Sequence, residues 1–293
     1  MWHGVTALQE KKPCLIIDFN GMKEFSSRQI GSALANVWPD LRTARLTFPG
    51  TENSGEVFTV RMAQALEMPK TRIALADRVR PLVKDACSVG MPAIFGLYRT
   101  PQVFADLEAL IGVPIFELPT LSPSAPGIRL LETMKARLSS AGVRAFLQNR
   151  VNAVTPLPDG SFRLGLGEGA RQRILTARTV LLATGRFMGH GLCADRDRIR
   201  EPLFDLPVHQ PAERSQWHQK TPFDPRGHRI NRAGLDIDDR FRPVDRAGRP
   251  VYPNLFAAGT ILAHQDWMRM KCGSGLAIAT AFAAVDAISN PGN

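Results

Sequence analysis

Cysteine is scarce and dispersed in this chain of 293 residues. Cys14, Cys87, Cys193 and Cys272 form no Cys-x-x-Cys pair, which argues against a cysteine-ligated zinc site or an iron–sulfur cluster and predicts a protein with no metal of its own. Long apolar runs are missing too. The longest, residues 276–288, is interrupted by Thr280 and Asp286 and is too short to span a bilayer. No secretory pattern opens the chain, where Met1-Trp2-His3-Gly4 leads into a polar stretch. Together these absences predict a cytoplasmic protein, at most peripheral to a membrane. The net charge of +10 is carried mainly by scattered arginines, and its densest stretch, residues 196–249, alternates with Asp and Glu. No basic stripe with interleaved aromatics occurs, so nucleic acid is not an expected partner. A basic face toward anionic substrates, an acidic partner or a membrane surface is the economical reading. With 44% hydrophobic and 22% charged residues, composition excludes wholesale disorder.

The first third alternates strand and helix signals. Residues 14–19 form an apolar run ended by Asn20-Gly21 and read as a buried strand. Ser26 or Ser27 suits the N-cap of a helix carrying Ile30, Leu34 and Val37. Further strands are expected at 44–48, 93–97 and 113–118, with helices around 56–66, 72–86 and after Pro101. This βαβ rhythm predicts a mostly parallel sheet with helices packed on it. Two proline-rich joints, 119–126 and 202–225, break the rhythm. Between them the pattern predicts a helix over 128–140 closed by Gly142 and a strand over 143–146. A small antiparallel meander follows, built from 151–155, 161–166 and 173–175.

Two later segments carry chemistry. Residues 179–185, Thr-Val-Leu-Leu-Ala-Thr-Gly, form an apolar strand ending in a glycine turn. Ligands in doubly wound folds sit beyond the carboxyl ends of parallel strands, so Ala183, Thr184 and Gly185 are candidate cofactor contacts; an ordinary strand-to-loop turn is the alternative. Residues 254–259 form another buried strand, a loop covers 260–272, and Gly273-Ser274-Gly275 opens a helix over 276–288. A helix start offers unpaired amides and partial positive charge, and glycine lets a planar ring approach the backbone. Gly259, Thr260, Gly273, Ser274, Gly275 and Leu276 are therefore candidate cofactor contacts, the helix start facing the N1–C2=O edge of a flavin; the alternative is that Gly273 and Gly275 merely permit close packing at a helix start.

The order of these segments resembles the B-subunit family of anaerobic glycerol-3-phosphate dehydrogenase, within the flavoproteins built on two dinucleotide-binding domains. The stretches carrying the resemblance run through most of the chain: Lys12 to Ile17 with Gly21 and Phe25, Leu118 to Ser124, Gly127-Ile128-Arg129-Leu130, Ala183-Thr184-Gly185-Arg186-Phe187, Ile199-Arg200-Glu201-Pro202, Arg242-Pro243, Asn254 to Gly259, Asp266, and Lys271-Cys272-Gly273-Ser274-Gly275. The resemblance implies an α/β fold. Residues 1–118 would be a substrate-side or cap βαβ domain, 119–199 an incomplete Rossmann-like flavin domain with the meander, 200–250 a Pro/Arg-rich insert, and 251–293 the closing flavin-binding strand and helix. Family members begin with a strand and a Gly-x-Gly-x-x-Gly turn that holds the cofactor pyrophosphate. No such turn stands in this sequence, because Gly165, Gly167 and Gly169 fall in the meander. The chain opens where the family's middle region begins, through a downstream start, a separate chain carrying the turn, or lost flavin affinity. Alone it is expected to bind flavin weakly or not at all.

The implied activity is oxidation of glycerol 3-phosphate to dihydroxyacetone phosphate with FAD or FMN, the electrons passing toward the quinone pool. The implied partners are a flavin-carrying subunit, together with an iron–sulfur subunit that attaches the complex to the inner face of the membrane. A flavoprotein acting on another hydroxy or unsaturated acid and a non-catalytic assembly subunit remain open. His264 is a candidate proton carrier for alcohol oxidation, or a loop histidine fixing a neighbour. Arg129 is a candidate phosphate contact, or one half of a surface salt bridge. Asp266 is a candidate ribityl contact or a cap, and Lys271 a candidate positive charge near the flavin or a solvated side chain. Arg200 and Glu201 are expected to pair with each other.

Overall fold

The computed structural model describes residues 2–167, 169 and 172–290; Met1 and residues 291–293, which close the C-terminal segment, lie outside the described residues. The chain divides into two compact units, Met1–Ala145 and Phe146–Asn293.

In the first unit the polar opening folds as a helix, α1 (Trp2–Gln9), ahead of β1 (Cys14–Phe19). Every residue of β1 is buried, as expected of a strand covered on both faces. There follow α2 (Ser27–Leu34), β2 (Leu41–Leu46), α3 (Thr59–Ala65), α4 (Pro69–Val83), β3 (Ser88–Pro92), α5 (Thr100–Ile111), β4 (Ile115–Leu118) and α6 (Ala125–Ser140). The four strands form one parallel sheet in the order β2-β1-β3-β4. Leu15, Ile17 and Phe19 of β1 pack with Met62, Leu75, Val79, Phe95 and Val103 in the main core. The capping reading holds at α2, where Ser26 Oγ accepts from the Gln29 amide at 3.2 Å. Asp18 is buried in the central strand, where it accepts two bonds from Arg45 of β2, at 2.8 and 2.9 Å, and one from the Ser27 amide at 2.9 Å. A buried carboxylate is tolerated because all its bonds are made.

Two strand expectations are corrected. Residues 143–146 form no strand, because the amides of Gly142 and Val143 bond back to Ser139 and Leu138 and close α6. Gly142 does take the left-handed conformation, at φ +73°. Residues 93–97 are also not a strand: β3 ends at Pro92, and only Ala93 reaches the neighbouring ladder, donating to Leu118 O at 2.9 Å. Beyond it the amides turn to carboxylates. Phe95 donates to Glu117 at 2.6 Å, and Leu97, Tyr98 and Arg99 all donate to Glu67 Oε1, at 2.7, 2.9 and 3.3 Å.

Burial works to raise the Glu67 pKa, but the amides of Tyr98, Leu97 and Arg99 outweigh it and hold the group below the ordinary carboxylate value. A depressed folded-state pKa gives stability that is present above the unfolded value and lost as pH falls through the folded one. Glu67→Ala should cost about 2 kcal/mol at neutral pH, the scale of hydrogen bonds to a charged group. Urea midpoints should converge for the variant and parent on acidification; an undiminished gap in acid would refute the assignment.

The second unit holds the antiparallel meander, β5 (Val151–Pro156), β6 (Phe162–Leu166) and β7 (Arg173–Ala177), in the order β5-β6-β7. A parallel pair follows from β8 (Val180–Leu182) and, some seventy residues on, β11 (Leu255–Ala257). Between them stand the two-residue strands β9 (Cys193–Ala194) and β10 (Ile199–Arg200). The chain closes with α7 (Trp267–Met270) and α8 (Gly273–Ser289). Phe162, Leu182, Leu192, Trp217, Leu235, Leu255 and Ile261 form the core. The Phe162 ring meets Phe204 and Tyr252 edge-on at 5.4 and 5.5 Å, which fastens the insert to the meander.

The alternating charges of residues 196–249 resolve into local pairs, Asp224 with Arg226, Asp238 with Arg242 and Asp245 with Arg249. The expected Arg200–Glu201 pair is corrected. Arg200 bonds Asp195 at 2.6 Å, while Glu201, 1% exposed, accepts from the amides of Leu203, Phe204 and Leu206. Glu201 lies just past β10 and turns its carboxylate onto the amides of the loop it opens, so the two charges do not meet. Among the described residues no helix is long and apolar enough to cross a membrane.

Candidate functional site

β8 and β11 run parallel and in register, Val180 with Leu255 and Leu182 with Ala257. Their carboxyl ends therefore open side by side, one into Ala183-Thr184-Gly185 and the other into Ala258-Gly259-Thr260. Both turns need glycine, with Gly185 at φ +68° and Gly259 at φ +79°. The turns meet: a Cβ on Gly185 would stand 3.4 Å from Thr260 Oγ1, and one on Gly259 would find nothing within 4 Å. The second turn is tied to α8, because the Gly259 amide donates to Thr280 Oγ1 at 2.8 Å.

Gly275 lies five residues before Thr280, about 7.5 Å along the helix axis. The Gly273-Ser274-Gly275 start thus belongs to the same end of the second unit as both turns. Amides at these positions have no intrahelical acceptor, and Cys272 supplies no side-chain cap. Gly275 borders open space, whereas a Cβ on Gly273 would touch the Trp267 ring at 3.2 Å. Gly275 is thus free for close approach, whereas Gly273 packs closely against the Trp267 ring. Leu276 donates its amide to Cys272 O at 2.8 Å.

The first turn is backed by its own chain. Gly191 and Leu192 donate to Arg186 O, at 3.0 and 3.4 Å, so residues 186–191 fold over Thr184 and Gly185. A Cβ on Gly189 would collide with Thr184 O, and one on Gly191 with Gly185 O. The Thr184 hydroxyl is buried without a hydrogen-bond partner. Thr184 lines a cavity of about 300 Å³ with β8, Gly189, His190, and apolar residues of β5 and β6. That is room for a ring system, at the small end of ligand pockets. The open glycines and the unsatisfied hydroxyl fit a planar, polar-edged group at this end of the strands.

Arg186 was quoted in the sequence motif without a role, and it proves to be the structural tie of the site. Only 8% exposed, its guanidinium donates to the carbonyls of Asn231, Leu262 and Gln265. Burial pushes its pKa down to about 10, against the nearby charge of Asp266, so it stays protonated at neutral pH.

The remaining candidates fall as follows. Asp266 is buried and caps α7, accepting from the Arg269 amide at 3.3 Å. Lys271 is exposed and ends α7 in the left-handed conformation, φ +53°. His264, also left-handed at φ +70°, is exposed, with Nε2 2.6 Å from Asp236 Oδ1 and its ring 4.2 Å from that of His209. Arg129 lies in the first unit. Its guanidinium is committed bidentately to Glu117, at 2.6 and 2.8 Å, and to Gly96 O at 2.7 Å. The salt-bridge alternative describes that geometry, although the pair is half-buried.

Sequence reasoning missed Gly189, Gly191, His209 and Asp236. The Gly-x-Gly spacing directly after the Ala-Thr-Gly turn was a usable signal for the first two. The others lie 27 residues or more apart along the chain and become neighbours only through the fold.

Known proteins point the same way. A family model described as an FAD binding domain matches residues 3–276. A protein of Halobacterium salinarum, named as a probable B-subunit of anaerobic glycerol-3-phosphate dehydrogenase, is 31% identical over 287 residues, covering 94% of this chain and 66% of the relative. The B-subunit of anaerobic glycerol-3-phosphate dehydrogenase from Pectobacterium carotovorum is 30% identical over 292 residues, covering 95% and 66%. That of Yersinia pestis is 30% identical over 289 residues, covering 94% and 64%. The chain spans 64–66% of the length of these relatives.

Proposed function

This chain belongs to the FAD binding domain family, and from that premise we propose that it is part of a flavin-dependent dehydrogenase subunit oxidising glycerol 3-phosphate to dihydroxyacetone phosphate. Of the two flavins left open by the sequence, the family's is FAD. The observation that carries the reading is the meeting of two glycine turns, Gly185 and Gly259, at the carboxyl ends of adjacent parallel strands. The names of the relatives support the substrate and the membership in a complex of several subunits.

FAD supplies a two-electron acceptor when bound. In the reaction the secondary carbinol carbon would give its hydrogen with the bonding pair to that acceptor, the hydroxyl would release its proton to water, and a ketone would form. The residues of this chain bind and orient. Gly185, Gly259 and Gly275 keep side chains out of the way of a ring. The first amides of α8 favour negative charge at this end of the unit. The electrons then pass to an iron–sulfur partner and onward to quinone, with a further flavin-carrying protein in the complex and the whole on the inner face of the membrane.

The Thr184 hydroxyl gives a direct test, since in the protein alone it has no partner. Thr184→Val should leave stability unchanged or raise it by about 1 kcal/mol, because a buried unpaired hydroxyl is removed. FAD affinity should fall roughly 5- to 10-fold, the worth of one hydrogen bond. Fluorescence titration of FAD on the chain assembled with its partner subunits reads the affinity, and urea unfolding of the chain reads the stability. Unchanged affinity would take Thr184 out of the site. A colourless protein that FAD cannot reconstitute, and whose complex with its partner subunits oxidises glycerol 3-phosphate regardless, would overturn the FAD reading and leave an assembly role.

A further inference from the structure

Residues 209, 236 and 264 are far apart in sequence, yet backbone pairing sets them side by side. His209 and Gly234 exchange both backbone bonds, at 2.8 and 3.1 Å. Leu235 donates to Ile261 O at 2.9 Å and accepts from Ala263 N at 3.0 Å, and the His264 amide donates to Arg232 O at 2.9 Å. The middle strand passes so close that a Cβ on Gly234 would stand 2.6 Å from Ala263 N. Three extended segments are thus locked together by backbone alone. Each presents one side chain at the same spot: His209, Asp236 and His264.

The Asp236 carboxylate reaches toward both imidazoles, with Oδ1 2.6 Å from His264 Nε2 and Oδ2 3.9 Å from His209 Nδ1. The two ring centroids lie 4.2 Å apart, with the planes tilted by 53°. One potential ligand atom from each residue lies within 4.8 Å of the others. A hydrogen-bonded histidine–carboxylate pair needs only one imidazole; the second is unexplained by it. His264 also adopts a left-handed backbone, at φ +70°.

We propose that His209, Asp236 and His264 form a binding site for a divalent transition-metal ion of the zinc class. Two imidazole nitrogens and one carboxylate oxygen are the donor set that zinc and its late first-row neighbours prefer, whereas calcium and magnesium take oxygen alone. Bonds of about 2.1 Å in a tetrahedral site put donors about 3.4 Å apart, within the range these atoms span. The imidazoles are exposed and can turn the remaining distance. Three protein ligands leave a fourth position for water or an anion. His209 and Asp236 also line a cavity of about 640 Å³, which gives access from solvent. His264, offered by the sequence as a proton carrier, becomes a ligand instead. These three side chains are sufficient for the site, which does not depend on flavin binding.

The test is a titration of the whole chain, freed of metal with a chelator, using Co²⁺ followed by its visible absorption and Zn²⁺ followed by calorimetry. One ion per chain should bind with Kd below about 100 μM. His209→Ala, Asp236→Asn and His264→Gly should each weaken it at least roughly 30-fold, in line with the loss of a ligand. Glycine suits the positive φ at residue 264, so that variant keeps the fold and circular dichroism should match the parent. Weaker binding by the parent, or binding that survives all three substitutions, would overturn the site.

Discussion

Gly191→Ala should destabilise the second unit by about 3 kcal/mol, the upper range for an over-packed site. The added methyl would run into Gly185 O and stand 2.5 Å from Thr184 Oγ1. The first obstacle is backbone and cannot rotate away, so the Thr184–Gly185 turn itself must shift. Under the proposed function FAD affinity should therefore fall more than roughly 10-fold, beyond what loss of a single hydrogen bond would cause. Gly275→Ala is the counterpart. Its Cβ meets nothing within 4 Å, and alanine in a helix is favoured over glycine by about 0.5–1 kcal/mol. Stability should rise there while FAD affinity drops, if a ring seats against the first turn of α8. Thermal unfolding and FAD titration of both variants give the comparison. A Gly191→Ala protein as stable as the parent would show that the 186–191 loop can relax, and would remove the steric argument.

Much of the architecture was legible in local pattern. The apolar run 14–19 is the central strand because both faces of a parallel strand are covered, and nothing but apolar residues and the fully bonded Asp18 suits that place. Ser26 and Gly142 each mark a boundary through one local hydrogen bond or one positive φ, and each boundary stands where expected. The two strands that did not form differ in cause: residues 143–145 are exposed and follow a helix that closes by local bonds, whereas 93–97 lose their amides to distant acceptors. At 93–97 apolar residues are buried, but their amides bond Glu67 and Glu117, which are 26 or more and 20 or more residues away in sequence. Apolar patterning reports burial; it does not report which acceptor an amide finds.

The site divides in the same way. Gly185, Gly259 and Gly275 were visible because glycine at a strand end or helix start has few other reasons to be there. Arg129 was visible only as a charge. Its partner, Glu117, sits on a strand whose pairing with β3 brings Gly96 O and Glu117 to one guanidinium, and that convergence is tertiary. The same holds for His209 and Asp236, which acquire a meaning only when Gly234 lets three segments close on one another.

Arg186→Met should cost about 3 kcal/mol, and the loss should reach both the Thr184–Gly185 turn and the His264 loop. Arg186 follows the first turn directly, and its guanidinium holds the carbonyls of Asn231, Leu262 and Gln265. Those carbonyls flank Arg232, which accepts the His264 amide, and bracket His264 itself. Removal leaves acceptors without their donor, each costing on the order of 1–3 kcal/mol. The relief of not burying a charge offsets part of that, which is why the net estimate is about 3 rather than the full sum. Arg186→Lys keeps the charge but not the planar fork that spans separate carbonyls, so it should recover less than about half of the loss. Urea unfolding followed by circular dichroism reads the stability, and Co²⁺ titration reads the His264 loop, where Arg186→Met should weaken binding without touching a ligand. A methionine variant as stable as the parent would mean that desolvating the guanidinium costs as much as its three bonds return. Arg186 would then be kept for the position of the two loops, and weakened Co²⁺ and FAD binding at full stability would be its signature.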